Sequence, residues 1–201
     1  MYIPKAFRFD DRSEIVDFMK RYSFGTIVTN KHNLPIATHL PFHIECSEEK
    51  MILSSHFAVA NEQAKYIEDS TSLVIFTEPH AYISPSNYEK IESVPTWDYI
   101  SVHAYGNAKI ITDADVKLKE LEKVISFYEP SYLKQWDELS VKFKSNMMKG
   151  IVLFQIEVER LEAQKKLSQN KMPQERESIM EQLKNSNNSA ERDIAEYINK
   201  L

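Results

Sequence analysis

The sequence predicts a mainly β protein, an antiparallel barrel with peripheral helices, and three observations predict it. Several short runs rich in β-branched and aromatic residues alternate apolar with polar side chains, the period of half-buried strands. Helical segments fall between these runs without the regular strand–helix alternation that builds a parallel sheet. Only three glycines occur in 201 residues, which excludes the glycine-rich phosphate cradles of nucleotide-binding α/β folds.

Each element has its own signal. "RSEIVDFMKRY" places Ile15, Phe18, Met19 and Tyr22 at helical spacing behind Asp11 or Ser13 as a cap. "FGTIVTN" and "PIATHLPFHIEC" read as two strands joined by a tight turn at "KHNL", and "KMILSSHF" adds a third, giving an antiparallel meander. A short helix is expected over "NEQAKYIE", then strands over "TSLVIFTE" and "HAYIS", a loop, and a long strand through "DYISVHAYGNAKII". "DADVKLKELEKVISFYEP" has Leu118, Leu121, Val124, Ile125 and Tyr128 on one face between an Asp start and a Pro stop. A second helix is expected over "YLKQWDELSVKFK". "GIVLFQIEVERLEA" is the last strand, its apolar first half suited to burial on both faces. Ile179, Met180 and Leu183 give the next helix an apolar stripe. "KNSNNSAE" reads as a linker to a final short helix that leaves the last dozen residues loosely attached.

Composition narrows the function. A hydrophobic fraction of 42% supports a real core, and length favours one domain, or one with an appendage. The single cysteine, Cys46, allows no internal disulfide, and no leader pattern or long apolar run appears, so a cytoplasmic protein away from membranes is expected. The net charge of −5 leaves no overall cationic excess for DNA. No finger spacing or helix-turn-helix pattern compensates.

Candidate chemistry lies in three places. His39 and His43 share a strand face but stand roughly 13 Å apart along it, too far to hold one ion, and Cys46 has no partner spacing, so no metal site is expected. In "SSHFAVANEQAKY" a strand delivers His56 and Asn61 stands as an N-cap with Gln63 behind it. This reads either as a capped helix beside a buried histidine or as a phosphate-sized anion site. "PHAYISPSNYEKIESVPTWDYISVHAYG" concentrates Tyr82, Tyr88, Trp97, Tyr99, His103 and Tyr105, suited to a flat ligand, an interface or the core. Finally, "KKLSQNKMPQER" gathers Lys165, Lys166, Ser168, Gln169 and Asn170, donors suited to an anionic planar ligand or to a solvated strand-to-helix connection.

Taken in order, "MYIPKAF", "FGTIVTN…PIATHLPF", "LSSHFAVANEQ", "PHAYISPSNY…VPTWDY…VHAYG" and "KLSQNK" resemble the PaiB family, described as protease synthase and sporulation negative regulatory proteins. That family looks like a branch of the FMN-binding split β-barrels, the fold of pyridoxamine phosphate oxidases. The resemblance implies a split-barrel domain with helical insertions over 1–184, followed by a linker and short helix over 185–201. It also implies a homodimer binding FMN at the subunit interface. Thr38, His39 and Leu40 would lie along the isoalloxazine. His56, Ala58, Asn61 and Gln63 would surround the phosphate. Trp97, Tyr99 and His103 would close the pocket, completed by Lys166, Ser168, Gln169 and Asn170. Histidine and asparagine stand where split barrels usually carry Arg or Lys phosphate ligands, which implies weak FMN binding or an empty site. The implied role is a negative transcriptional regulator of sporulation and protease genes, with DNA as a partner on the resemblance alone. The alternative is a flavin-dependent oxidoreductase acting on a small molecule, and a third reading exchanges flavin for haem.

Overall fold

The computed structural model describes residues 1–201, and the described chain falls into two compact units. One contains Val16–Phe76 and His103–Leu161; the other contains Met1–Ile15, Thr77–Val102 and Glu162–Leu201. This division does not follow the boundary at residue 184 expected from the sequence. Helix α1 (Arg12–Arg21) and two long strands, β7 (Thr96–Ile110) and β8 (Ile151–Lys166), contribute residues to both.

In the larger unit, strand β1 (Phe24–Lys31) turns back as β2 (Leu34–Pro41) in register from Lys31↔Leu34 to Phe24↔Pro41. His32 and Asn33 make the turn at φ 50° and 67°. Positive φ at both central residues matches the right-handed twist of the strands, and asparagine adopts it readily. After buried Phe42 come β3 (His43–Cys46) and β4 (Met51–Ala58), paired to each other, and β5 (Ser72–Phe76), paired to β1.

The strand order is β2-β1-β5-β7-β8-β4-β3, with β6 (His80–Ile83) on β7. The expected meander is therefore two hairpins, because the chain leaves β2 at Phe42 and β3 pairs only with β4. Phe42 meets Phe76 and Phe154 edge-on at 5.6 and 6.4 Å, and Phe57 stacks on Phe154 at 4.8 Å. These rings, with Ile27, Leu53 and Ile156, fill the unit's core. Gly106 on β7 is obligatory there, because a Cβ would stand 2.0 Å from the Glu157 carbonyl of β8.

Helix α2 (Ala114–Tyr128) starts at Asp113, whose side chain accepts from the N–H groups of Asp115 and Val116. The single helix expected next is two, α3 (Leu133–Glu138) and α4 (Val141–Lys149). Leu139 is extended, and the Ser140 hydroxyl caps α4 by accepting from Phe143 N–H. The expected helix after Asn61 shrinks to one 3-10 turn, Glu62–Lys65.

In the smaller unit, β6 pairs antiparallel with the start of β7, and the end of β8 leads through a tight turn into α5 (Pro173–Lys184) and α6 (Ser189–Ile198). α6 is held against α5 and β6 by buried Ile194, Ala195 and Ile198. The loose tail expected from its polar linker is thus a packed helix. The mainly β, antiparallel architecture with peripheral helices is the one expected. No helix is long and apolar enough to cross a membrane.

Candidate functional site

β8 runs three residues further than the expected strand, so Lys165 and Lys166 are strand residues in the smaller unit. Lys165 pairs with Glu14 at 2.7 Å and lies over the Phe9 ring. Lys166 is drawn inward. Its ammonium donates to Thr96 Oγ1 and to the Trp97 carbonyl, and lies 3.9 Å from Asp98 Oδ1. Burial lowers the Lys166 pKa, and Asp98 offsets this only in part, with Lys171 adding to the fall. Two hydrogen-bond acceptors, with a carboxylate nearby at ion-pair distance, suit the charged form.

The turn that follows is locked by its own side chains. Gln169 accepts from Leu167 N–H at 2.7 Å and donates to the Lys165 carbonyl at 2.6 Å, so both ends of its amide serve the turn. Ser168 sits at φ 56°, a region costly for a residue other than glycine. Its hydroxyl donates to Asp98 Oδ2 at 2.7 Å. Asn170 is exposed on the turn.

On one side of Lys166 a cleft of about 490 Å³ opens, within the usual range for organic ligands. Tyr2, Phe7, Trp97 and Tyr99 supply its rings, and Gln164 and Lys166 its polar groups. Trp97 is 53% exposed and is flanked on the β6–β7 hairpin by His80 and Tyr82, each 5.8 Å away between ring centroids. Gln164 is only 2% exposed, and its Oε1 accepts no hydrogen bond. A buried amide oxygen without a donor is costly, and a ligand N–H at this wall would satisfy it. Aromatic walls, one ammonium and one orphan acceptor can hold a flat heterocycle carrying both carbonyl and N–H groups.

The remaining expected residues lie in the larger unit. Asn61 Nδ2 donates to Thr38 Oγ1 at 3.0 Å, Thr38 donates to Gln63 Oε1 at 2.6 Å, and Gln63 Nε2 donates to the carbonyls of Ile27 and Ile36. Asn61 Oδ1 also accepts from Gln63 N–H, the expected cap. The three side chains thus form one self-satisfied network that ties the 3-10 turn to the β1–β2 hairpin. His39 is exposed, with Nδ1 2.8 Å from Thr26 Oγ1 and its ring stacked near Phe24. Leu40 is half-buried on β2, and Ala58 is exposed at the end of β4. His56 is half-buried, and burial lowers its pKa. His103 is half-buried on β7, its ring 6.4 Å from that of Tyr105.

One cluster escaped sequence reading. His43, Glu45 and Glu120 bring one ligand atom each within 4.8 Å of the others. Their cation is Lys123, 3.0 Å from Glu45 and 2.8 Å from Glu120. Burial raises the Glu120 pKa, but hydrogen bonds from Lys123 and Ser54 outweigh it and hold the carboxyl below its ordinary range. Spacing within "HIE" gave no hint, because the third group arrives from α2. Gln164, Tyr2 and Phe7 were missed as well. Gln164 lies just past the strand expected over "GIVLFQIEVERLEA", and only the tertiary fold turns it inward.

Residues 1–160 match the family model described as "Putative FMN-binding domain". The chain is 41% identical over 201 residues to the protease synthase and sporulation protein PAI 2 of Bacillus subtilis (strain 168), covering 98% of this chain and 96% of that one. Among solved structures it resembles the flavocytochrome Anf3 of Azotobacter vinelandii, with a TM-score of 0.64 and 15% identity, covering 82% of this chain and 72% of that one. It also resembles the FAD and heme binding protein of Mycobacterium smegmatis, with a TM-score of 0.59 and 14% identity, covering 79% and 72% of the two chains. These two likenesses concern the fold. The match over most of its length, with the close relative in Bacillus, makes this chain a member of the PaiB family, within the FMN-binding domain family.

Proposed function

We propose that the protein is a cytoplasmic, FMN-binding homodimer that acts as a negative regulator in the control of protease production and sporulation. The role is drawn from the relative's name, protease synthase and sporulation protein. The ligand is drawn from the family and from one observation in this chain, the aromatic cleft with Gln164 Oε1 buried and lacking a donor.

The residues fit a flavin ring. Trp97 and Tyr99 would offer flat apolar surface to such a ring, Gln164 would supply a hydrogen-bond acceptor and Lys166 a positive charge. Bound flavin supplies reversible hydride or single-electron chemistry. The chain's own part is to orient the ring, shield one side from water and hold charge beside it. Lys166 is fixed by Thr96 and the Trp97 carbonyl, so it presents that charge without first losing side-chain freedom.

Exposed Tyr82 and Trp97 on the β6–β7 hairpin support a self-association surface. The net charge of −5 makes broad electrostatic attraction to DNA weak. Regulation through DNA then requires a specific contact that survives added salt. Titration of the purified chain with FMN, followed by flavin fluorescence alongside light-scattering mass, tests the ligand and the dimer together. A monomer that leaves FMN fluorescence unchanged would overturn both.

A further inference from the structure

On the other side of Lys166 lies a second, smaller cavity of about 190 Å³, lined by Tyr88, Thr96, Asp98, Ser168 and Lys171 among others. Two of its polar atoms have no hydrogen-bond partner. Asp98 is 0% exposed, and while its Oδ2 is bound by Ser168, its Oδ1 accepts no hydrogen bond, Lys166 being too distant at 3.9 Å. Tyr88 is 9% exposed and its phenol oxygen is likewise unpartnered. Lys171 reaches in over the Tyr88 ring, its ammonium 3.5 Å from the centroid. Structures rarely leave two such atoms unpaired among the residues lining one small space.

We propose that this cavity is a binding site for phosphate, as the free ion or as the terminal group of a monoester. The groups define what the ligand must carry. Lys166 and Lys171 call for an anion, and Tyr88 is a donor in need of an acceptor. Asp98 Oδ1 is an acceptor in need of a donor, which most anions do not possess. Inorganic phosphate at neutral pH keeps a proton that sulfate lacks, so it satisfies the carboxylate where sulfate is repelled. Burial raises the Asp98 pKa to about 6, with Ser168 and Lys166 acting against the rise. That is close to the second pKa of a phosphomonoester, about 6, so a proton is readily shared between the two. The volume holds about six waters at liquid density, enough for a phosphate group and not for a ring system.

The proposal stands without the flavin reading, since it rests on different atoms. The cavity and the aromatic cleft share Thr96 and Lys166, however, so the phosphate of FMN is one of two sources. The protein in phosphate-free buffer near neutral pH is titrated with inorganic phosphate and with sulfate, followed by thermal shift and by phosphorus NMR line width. Phosphate is expected to bind at least about tenfold more tightly than sulfate. Lys171→Ala, a substitution on the turn, is expected to weaken phosphate about tenfold, and Asp98→Asn to abolish the preference over sulfate. Phosphate that competes with FMN but not with riboflavin identifies the flavin's own phosphate as occupant. Phosphate that binds without affecting either identifies a separate ligand. No saturable binding of phosphate, equal affinity for sulfate in the wild type, or an unchanged affinity in Lys171→Ala would overturn the proposal, whatever FMN does.

Discussion

Ser168 Oγ donates to Asp98 Oδ2 over 2.7 Å, so a serine held at φ 56° is fastened to a carboxylate with no solvent exposure. The bond accounts for both unusual features at once. It compensates the left-handed backbone on one strand end and part of the buried charge on the other.

Removing the hydroxyl therefore exposes both costs. Ser168→Ala is expected to destabilise the protein by about 2 kcal/mol, the value of a hydrogen bond to a charged group. Ser168→Gly loses the same bond but relieves about 1 kcal/mol of backbone strain, so it should be the milder substitution. Urea unfolding of the two variants checks the order, and a glycine variant less stable than the alanine one would refute it.

Asp98 also makes stability depend on pH. Burial pushes its folded pKa up to about 6, above the ordinary value of 3.8. Between these values the folded state holds a proton that the unfolded state has lost. Its contribution to stability is greatest below about pH 4 and falls as pH rises through 6, by about 3 kcal/mol in all. Asp98→Asn should gain on the wild type across that window and level off above it. A difference between the two proteins that does not vary with pH would contradict this.

Lys123 is the counter-ion of a buried carboxylate, since the Glu120 side chain is 7% exposed and Lys123 itself 43%. Lys123→Met leaves Glu120 without its cation and should cost about 2 kcal/mol near neutral pH. Glu120→Gln in the same chain should recover part of the loss. Thermal unfolding of the single and double variants measures the coupling, and strictly additive losses would show the pair to be incidental.

Gly106 permits the contact between β7 and β8, with no room for a methyl group beside the Glu157 carbonyl. Gly106→Ala should destabilise by about 3 kcal/mol or more. Gly150, where the nearest heavy atom to a Cβ is 3.3 Å away, serves as the control and should tolerate alanine far better.

Most of the fold was legible because its signals are local. Asn33 announces the β1–β2 turn, Asp113 the start of α2, and Pro173 the start of α5. What could not be read was decided by distant partners. Leu139 breaks a helix whose pattern continues through it, and α6 gains its burial only against α5 and β6. The site divides the same way. The aromatics around Trp97 and the lysine before "LSQN" stand out in sequence. Gln164 and the unpartnered oxygen of Asp98 become visible only when the strands place them against a cavity.

Flavin binding at the aromatic cleft is decided by FMN titration of the wild type against Gln164→Leu and Trp97→Ala, read by quenching of flavin fluorescence. Saturable quenching by the wild type is expected, with affinity about tenfold weaker or worse in each variant, since one loses the acceptor and the other the ring surface. Wild-type affinity retained in both variants would place the flavin elsewhere, and no quenching by any of the three would remove FMN from the function.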